Sequence, residues 1–255
     1  MLEYDSLDEF RDPSTYDLVD AGYEEDRPLV EQWARTLGGP LLDLACGTGR
    51  MAIPLAGQGY QVTGADVVPE MIAHARQKAV ARAASVTWVV ADARAFQLRE
   101  QFRFIYMLEN TFQFFYTRAD HEALLARVRE HLHPAGGFLF ETRNPSPRNL
   151  FEPRRSAPQR FTAPDGRQLV ITNDQPDYDP IAQIQHCVAR YQWLAPDGQR
   201  TEAVKRTALR YVFPQEIESL LFYNGFQIRA RYGGWQQEAL TAASLEQIYV
   251  CQRRA

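Results

Sequence analysis

The sequence predicts an α/β protein: a doubly wound, mainly parallel sheet interrupted by an antiparallel β insert. Three observations lead there. Strand-like and helix-like segments alternate from residue 41 to residue 142. A glycine-punctuated turn, within "LLDLACGTGR" (41–50), directly follows the first strand. After "NPSPRNLFEPRRSAPQR" (144–160) the alternation stops, and the turn signal "APDG" occurs twice, at 163–166 and 195–198.

The first 26 residues hold ten acidic side chains against one basic, Arg11, with Tyr4, Phe10, Tyr16 and Tyr23 interleaved. Composition alone reads as a solvated leader; the aromatics give it something to bury, which reads as a lid. "RPLVEQWARTL" then spaces Leu29, Val30, Trp33 and Leu37 as one helical face, stopped by "GGP" (38–40). Leu41–Leu44 is a short buried strand, Arg50–Gln58 a helix closed by Gly59, and Gln61–Asp66 a strand. Pro69–Ala84 is a helix with proline in its first turn. Strands follow at Val86–Val90 and Phe104–Leu108, a helix at Arg118–His131, and a fifth strand at Gly136–Thr142. In the insert, strand character falls at Arg167–Thr172, Gln183–Leu194 and Lys205–Phe213. "PQEIESLLFYNGF" is a helix closed by Asn224-Gly225, and "FQIRARY" and "EQIYVCQ" are two closing strands. The expected organisation is a lid or leader at 1–27, an α/β domain at 28–148 and 213–255, and the β insert at 149–212.

With 255 residues and a net charge of −4, the chain suits one large core and argues against a broadly basic nucleic-acid surface. Cys46, Cys187 and Cys251 are scattered and form no CxxC, so no metal site is expected. No membrane-spanning run and no signal peptide is read, which makes cytoplasm the default expectation.

Gly47, Gly49 and Ala52 fit the G-x-G-x-x-G/A pattern, and Asp66 ends the next strand, where an acid holds a ribose hydroxyl pair. Nicotinamide enzymes share those features. Asp43 separates the candidates: a carboxylate at the mouth of the turn repels a pyrophosphate and attracts a cationic nucleoside. Asp92, past the third strand, suits an adenine amino group, and Met71 an apolar ring face. Acids beyond three successive strands mark one crevice at the carboxyl edge of the sheet.

"LLDLACGTGR", "VTGADVVPEMIAHAR", "VVADARAF" and "LHPAGGFLFET" together resemble the successive motifs of class I S-adenosylmethionine-dependent methyltransferases, over roughly residues 28–145 and the closing elements. The resemblance implies a Rossmann-like seven-stranded sheet of order 3-2-1-4-5-7-6 with strand seven antiparallel. It implies that Asp43 and Gly47 face the methionine part of S-adenosylmethionine, Asp66 the ribose, and Asp92 with Ala93 the adenine. Ala45, Cys46, Thr48, Gly49, Val67 and Leu108 complete the expected cofactor site. The insert is similar to the substrate roof of small-molecule methyltransferases. The implied function is in-line methyl transfer to a nitrogen or oxygen of a small-molecule acceptor, releasing S-adenosylhomocysteine.

Tyr16, Asn110, Phe112 and Gln113 are the expected substrate pocket, and Glu109 and His186 the candidate acid–base groups. "ENTFQFF" resembles a bacterial subgroup reading N-T-F-x-H-L, but Phe114 stands at its histidine position, so no base is carried over from there. A nicotinamide-dependent oxidoreductase and a non-catalytic cofactor-binding module are the competing readings. An RNA acceptor would rest on the basic stretch Arg148–Arg160, which includes Arg154 and Arg155. The oligomeric state stays open between monomer and homodimer.

Overall fold

The computed structural model describes residues 6–146, 150 and 157–254. The main sheet contains β1 (Leu41–Leu44), β2 (Val62–Asp66), β3 (Val86–Val90), β4 (Phe102–Met107), β5 (Leu132–Arg143), β11 (Phe226–Tyr232) and β12 (Glu246–Arg253). Its spatial order is β3-β2-β1-β4-β5-β12-β11. β1 to β5 pair in parallel, whereas β12 is antiparallel to both β5 and β11. This is the 3-2-1-4-5-7-6 order with an antiparallel seventh strand. The order separates it from the dinucleotide-binding fold, whose sixth strand continues a parallel sheet.

The helices follow from apolar stripes and end signals. α2 (Arg27–Leu37) buries Leu29, Val30, Trp33 and Leu37 and stops at Gly38, whose φ is 75°. α4 (Pro69–Ala81) starts on proline. α5 (Arg118–His131) opens with a capping box between Thr117 and Asp120 and buries Leu124, Leu125 and Val128. α3 begins at Ala52 and runs to Gly57, two residues later than the sequence suggests, because Gly49 at φ 79° keeps the preceding turn out of helical geometry. α6 (Pro214–Tyr223) precedes β11. β1 is buried along its whole length, as expected for a strand covered on both faces.

The second sheet holds β6 (Gln159–Thr162), β7 (Gln168–Asn173), β8 (Asp177–Asp179), β9 (Ile184–Leu194) and β10 (Arg200–Arg210), all antiparallel. Both "APDG" segments close hairpins in the same way. Gly166 N donates to Ala163 O and Gly198 N to Ala195 O, each at 2.9 Å, with both glycines at positive φ. β10 begins at Arg200, not Lys205, and ends at Arg210. Its first residues are exposed and carry no apolar signal, and Pro214 turns the chain into α6.

The leader is built in. A 3-10 turn at Asp8–Arg11 and helix α1 (Pro13–Val19) pack against α4 on one side and the second sheet on the other. Leu18 and Val19 pack on Leu169, Ile171 and Tyr191 of the second sheet. Ser6 Oγ accepts from Ala208 N and from Tyr116 Oη, and Glu9 accepts from Tyr191 Oη and Thr207 Oγ1. Among the described residues no helix is long and apolar enough to cross a membrane. Arg148, Arg154 and Arg155 lie outside the described residues.

Candidate active site

The turn after β1 needs three positive φ angles, at Ala45 (62°), Gly47 (53°) and Gly49 (79°). Asp66 organises it. Gly47 N donates to Asp66 Oδ2 and Val68 N to Asp66 Oδ1, both at 2.9 Å, so one carboxylate ties the β1 turn to the β2 turn. Burial raises the Asp66 pKa, against those backbone donors. A Cβ on Gly47 would meet only the Tyr16 ring, 3.8 Å away, so this glycine opens onto space beneath Tyr16. A Cβ on Gly49 would lie 2.6 Å from Trp88, so packing as well as φ demands glycine there.

A cavity of about 1260 Å³ lies above the carboxyl edges of the main sheet. Ligand pockets run to roughly 300–1,000 Å³, so the space suits two small molecules side by side. Its floor over β1 to β3 is Ala45, Gly47, Asp66, Val67, Met71, Asp92 and Ala93. Over β4 and β5 it is Glu109, Asn110 and Glu141. Tyr16, Asp20 and Phe10 of the leader close one side, and Cys187, Tyr191 and Thr207 of the second sheet form the roof.

Several expected site residues do not line this cavity. Asp43 is 3% exposed beneath the turn, not at its mouth. Burial pushes its pKa up to about 8, with the Arg50 charge the largest opposing influence, so it is mostly neutral at pH 7. The repulsion expected from a fixed charge therefore needs another source. Cys46 is buried behind the turn, and Leu108 joins the core with Phe104 and Tyr106. Thr48 Oγ1 donates to Asp17 Oδ1 at 2.5 Å and accepts from Lys78 Nζ at 2.9 Å, away from the cavity. Phe112 and Gln113, expected in the substrate pocket, are fully buried. The Phe112 ring stacks on Phe140 with centroids 4.5 Å apart, and Gln113 Nε2 donates to Arg210 O. His186 lies mid-strand in β9, opposite Ala208 and Asp177, and does not reach the cavity.

Glu109 does line it, but its carboxylate is engaged. Arg50 Nε donates to Glu109 Oε1 at 2.6 Å and Tyr16 Oη to Glu109 Oε2 at 2.9 Å. The same guanidinium makes a bidentate pair with buried Asp26 at 2.8 and 2.5 Å. Glu109 and Asn110 are consecutive non-glycine residues at φ 59° and 56°, a strain characteristic of functional sites. That bend aims Asn110 N at Glu141 Oε1, 2.6 Å away. Asp92 is held by Arg94 through its side chain and backbone, which lowers its pKa.

Arg50, Asp26, Asp20 and Glu141 were not singled out from sequence. Asp20, buried beside Glu109, has its pKa raised to about 7. Glu141 had one legible signal, a carboxylate directly after the apolar run "GGFLF".

Gly47 N, at the edge of the cavity, is thus already engaged by Asp66 and is not free to hold a pyrophosphate. Residues 41–136 match the family model for the methyltransferase domain. Residues 41–136 thus carry a methyltransferase domain, and the fold is that of class I S-adenosylmethionine-dependent methyltransferases. Across 94% of both chains it is 26% identical to the cypemycin N-terminal methyltransferase of a Streptomyces species. In three dimensions it is similar to an S-adenosylmethionine-dependent methyltransferase from Clostridium acetobutylicum, with a TM-score of 0.79 and 15% identity over 94% of this chain and 97% of that one. It is also similar to an amino pentose methyltransferase from Micromonospora echinaspora solved with S-adenosylmethionine, with a TM-score of 0.73 and 20% identity over 99% of each.

S-adenosylmethionine is the cofactor of this methyltransferase domain, and the residues present fit it. Gly47 presents no side chain to the cavity, Asp66 keeps further lone pairs beyond its two backbone bonds, and Met71 and Ala93 supply apolar surface.

Proposed function

We propose that this methyltransferase moves a methyl group from S-adenosylmethionine to a nitrogen or oxygen of a small-molecule acceptor, by in-line displacement. The observation that carries this is the cavity above the carboxyl edges of the main sheet, large enough for two ligands, roofed by the second sheet and the leader. A long nucleic acid would need an open, basic groove. Relatives named for an amino pentose and for an N-terminus support an acceptor of this class.

Ala45, Gly47, Asp66, Val67, Met71, Asp92 and Ala93 would hold the cofactor. Asp43, Cys46, Thr48, Gly49 and Leu108 shape the turn and its support. When bound, the cofactor supplies a methyl group on a strongly electrophilic sulfonium. The protein's part is then orientation, which contributes up to roughly 7–11 kcal/mol in well-aligned reactions. Tyr16 and Phe10 exclude water from above. Glu109, clamped by Arg50 and Tyr16, acts as an orienting anion and not as a free base. His186 does not line the cavity and is given no proton-transfer role.

The deciding experiment is calorimetric titration with S-adenosylhomocysteine, with NADH in parallel. Micromolar binding of the first alone is expected. Binding of NADH alone would overturn the cofactor assignment, and S-adenosylhomocysteine binding without turnover on any amine or alcohol pool would favour a non-catalytic module.

A further inference from the structure

The cavity has two floors of different chemistry. Over β1 to β3, each polar group already has a place in the cofactor site. Over β4 and β5, two acceptor atoms have no donor. Glu141 is 3% exposed; its Oε1 accepts from Asn110 N, while Oε2 has no hydrogen-bond partner. Asn110 Oδ1 is likewise buried without a partner. Both residues line the cavity, at the ends of neighbouring strands. A buried carboxylate oxygen left unpaired is costly, and such a group in a cavity wall is where a ligand donor belongs.

The surroundings choose among donors. Glu109, Glu246 and Asp26 all act on Glu141 as negative neighbours. Asp26 and Glu109 share one cation, Arg50, and Arg143 faces Glu246 across the β5–β12 register. The wall keeps an excess of negative charge, which disfavours an anionic acceptor. A hydroxyl offers one donor for two waiting oxygens. A protonated amine offers up to three donors and a positive charge.

We propose that Glu141 and Asn110 form the subsite that receives an amine of the methyl acceptor. This rests on the methyltransferase reading above and narrows its acceptor to nitrogen. The strained Glu109–Asn110 bend is the positioning device. It presents the Asn110 backbone to one Glu141 oxygen and so leaves the other without a partner.

The test is calorimetry on the full chain saturated with S-adenosylhomocysteine. The probes are D-glucosamine, tyramine and cyclohexylamine, each against its hydroxyl counterpart, D-glucose, tyrosol and cyclohexanol. At least one amine should bind at least tenfold more tightly than its counterpart. Glu141→Gln, which keeps an acceptor for Asn110 N, should remove at least tenfold of that affinity while S-adenosylhomocysteine binding stays within twofold. If Glu141→Gln fails to bind S-adenosylhomocysteine, Glu141→Asp, which withdraws the free oxygen, is judged by the same comparison. Amines binding no better than alcohols, or binding equally to wild type and variant, would overturn the subsite. Wild type failing to bind S-adenosylhomocysteine would instead overturn the cofactor reading.

Discussion

Asp66 and Asp43 are two carboxylates about one turn, with different work. Asp66 is bonded to Gly47 N and Val68 N and faces the cavity. Asp66→Ala should weaken S-adenosylhomocysteine by about 1–3 kcal/mol, the range for hydrogen bonds to charged groups. Unchanged affinity by calorimetry would remove the ribose assignment. Asp43 lies beneath the turn with its pKa near 8. A cation bound above favours its ionised form, so a proton should leave as the cofactor binds. S-adenosylmethionine carries one more positive charge than S-adenosylhomocysteine. At pH 7 it should release more protons, measured by calorimetry in buffers of different ionisation enthalpy. Asp43→Asn should abolish that excess even though Asp20 and Glu141 remain; an excess that persists in the variant would clear Asp43 of the role.

At the scale of elements, Asp17 joins Tyr16 and Asp26 in latching the leader to the cofactor half. Asp17 of α1 accepts from Lys78 Nζ at 2.8 and 2.9 Å and from Thr48 Oγ1, and pairs with His74. These partners lower its pKa despite burial. Asp17→Ala should loosen α1 without unfolding the sheets, and limited proteolysis should then cut within residues 6–26 several-fold faster. Saturating S-adenosylhomocysteine should slow that cleavage if the leader closes over the cofactor. Equal rates in wild type and variant would mean that the Tyr16–Glu109 bond and the packing of Leu18 and Val19 suffice to hold α1. The latch was illegible in sequence because Asp17, Thr48 and Lys78 are distant along the chain and each is an ordinary surface residue type. Of the elements it joins, β1 and α4 were legible, since they carry pattern and end signals strong enough to survive tertiary context, whereas α1 was read only as part of a leader or lid. β10 shows the limit: where the start of a strand is polar on both faces, as at Arg200–Glu202, only the pairing with β9 reveals it. Glu141 shows another, because a buried acid looks like any strand-end acid until its neighbours are placed.

For the whole molecule, burial shifts several carboxyls toward their protonated form. Asp43, Asp20, Asp66, Glu141 and Glu246 all have pKa values raised by burial. The sign is that of an acid protonated in the folded state and ionised in the unfolded one. Between the ordinary carboxyl range and the raised value, the unfolded chain binds fewer protons, so stability falls as pH rises. Each such group contributes a slope of about 1.4 kcal/mol per pH unit until its own folded pKa is passed. Asp20 stops contributing near pH 7 and Asp43 near pH 8. The melting temperature of the ligand-free protein should therefore drop between pH 5.5 and 8. One group alone is worth about 3–6 °C per unit, taking about 2–4 °C per kcal/mol for a chain of this size. Asp43→Asn, which buries an amide where the acid is already neutral, should flatten the curve by about that amount and raise the melting temperature at pH 8 more than at pH 5.5. A cationic ligand should oppose the decline, because ionisation above the turn is then repaid by attraction. A wild-type curve that is flat or rises across this interval would mean that the cavity floor is charged in the free protein, and with it Asp43's neutral state would have to be given up.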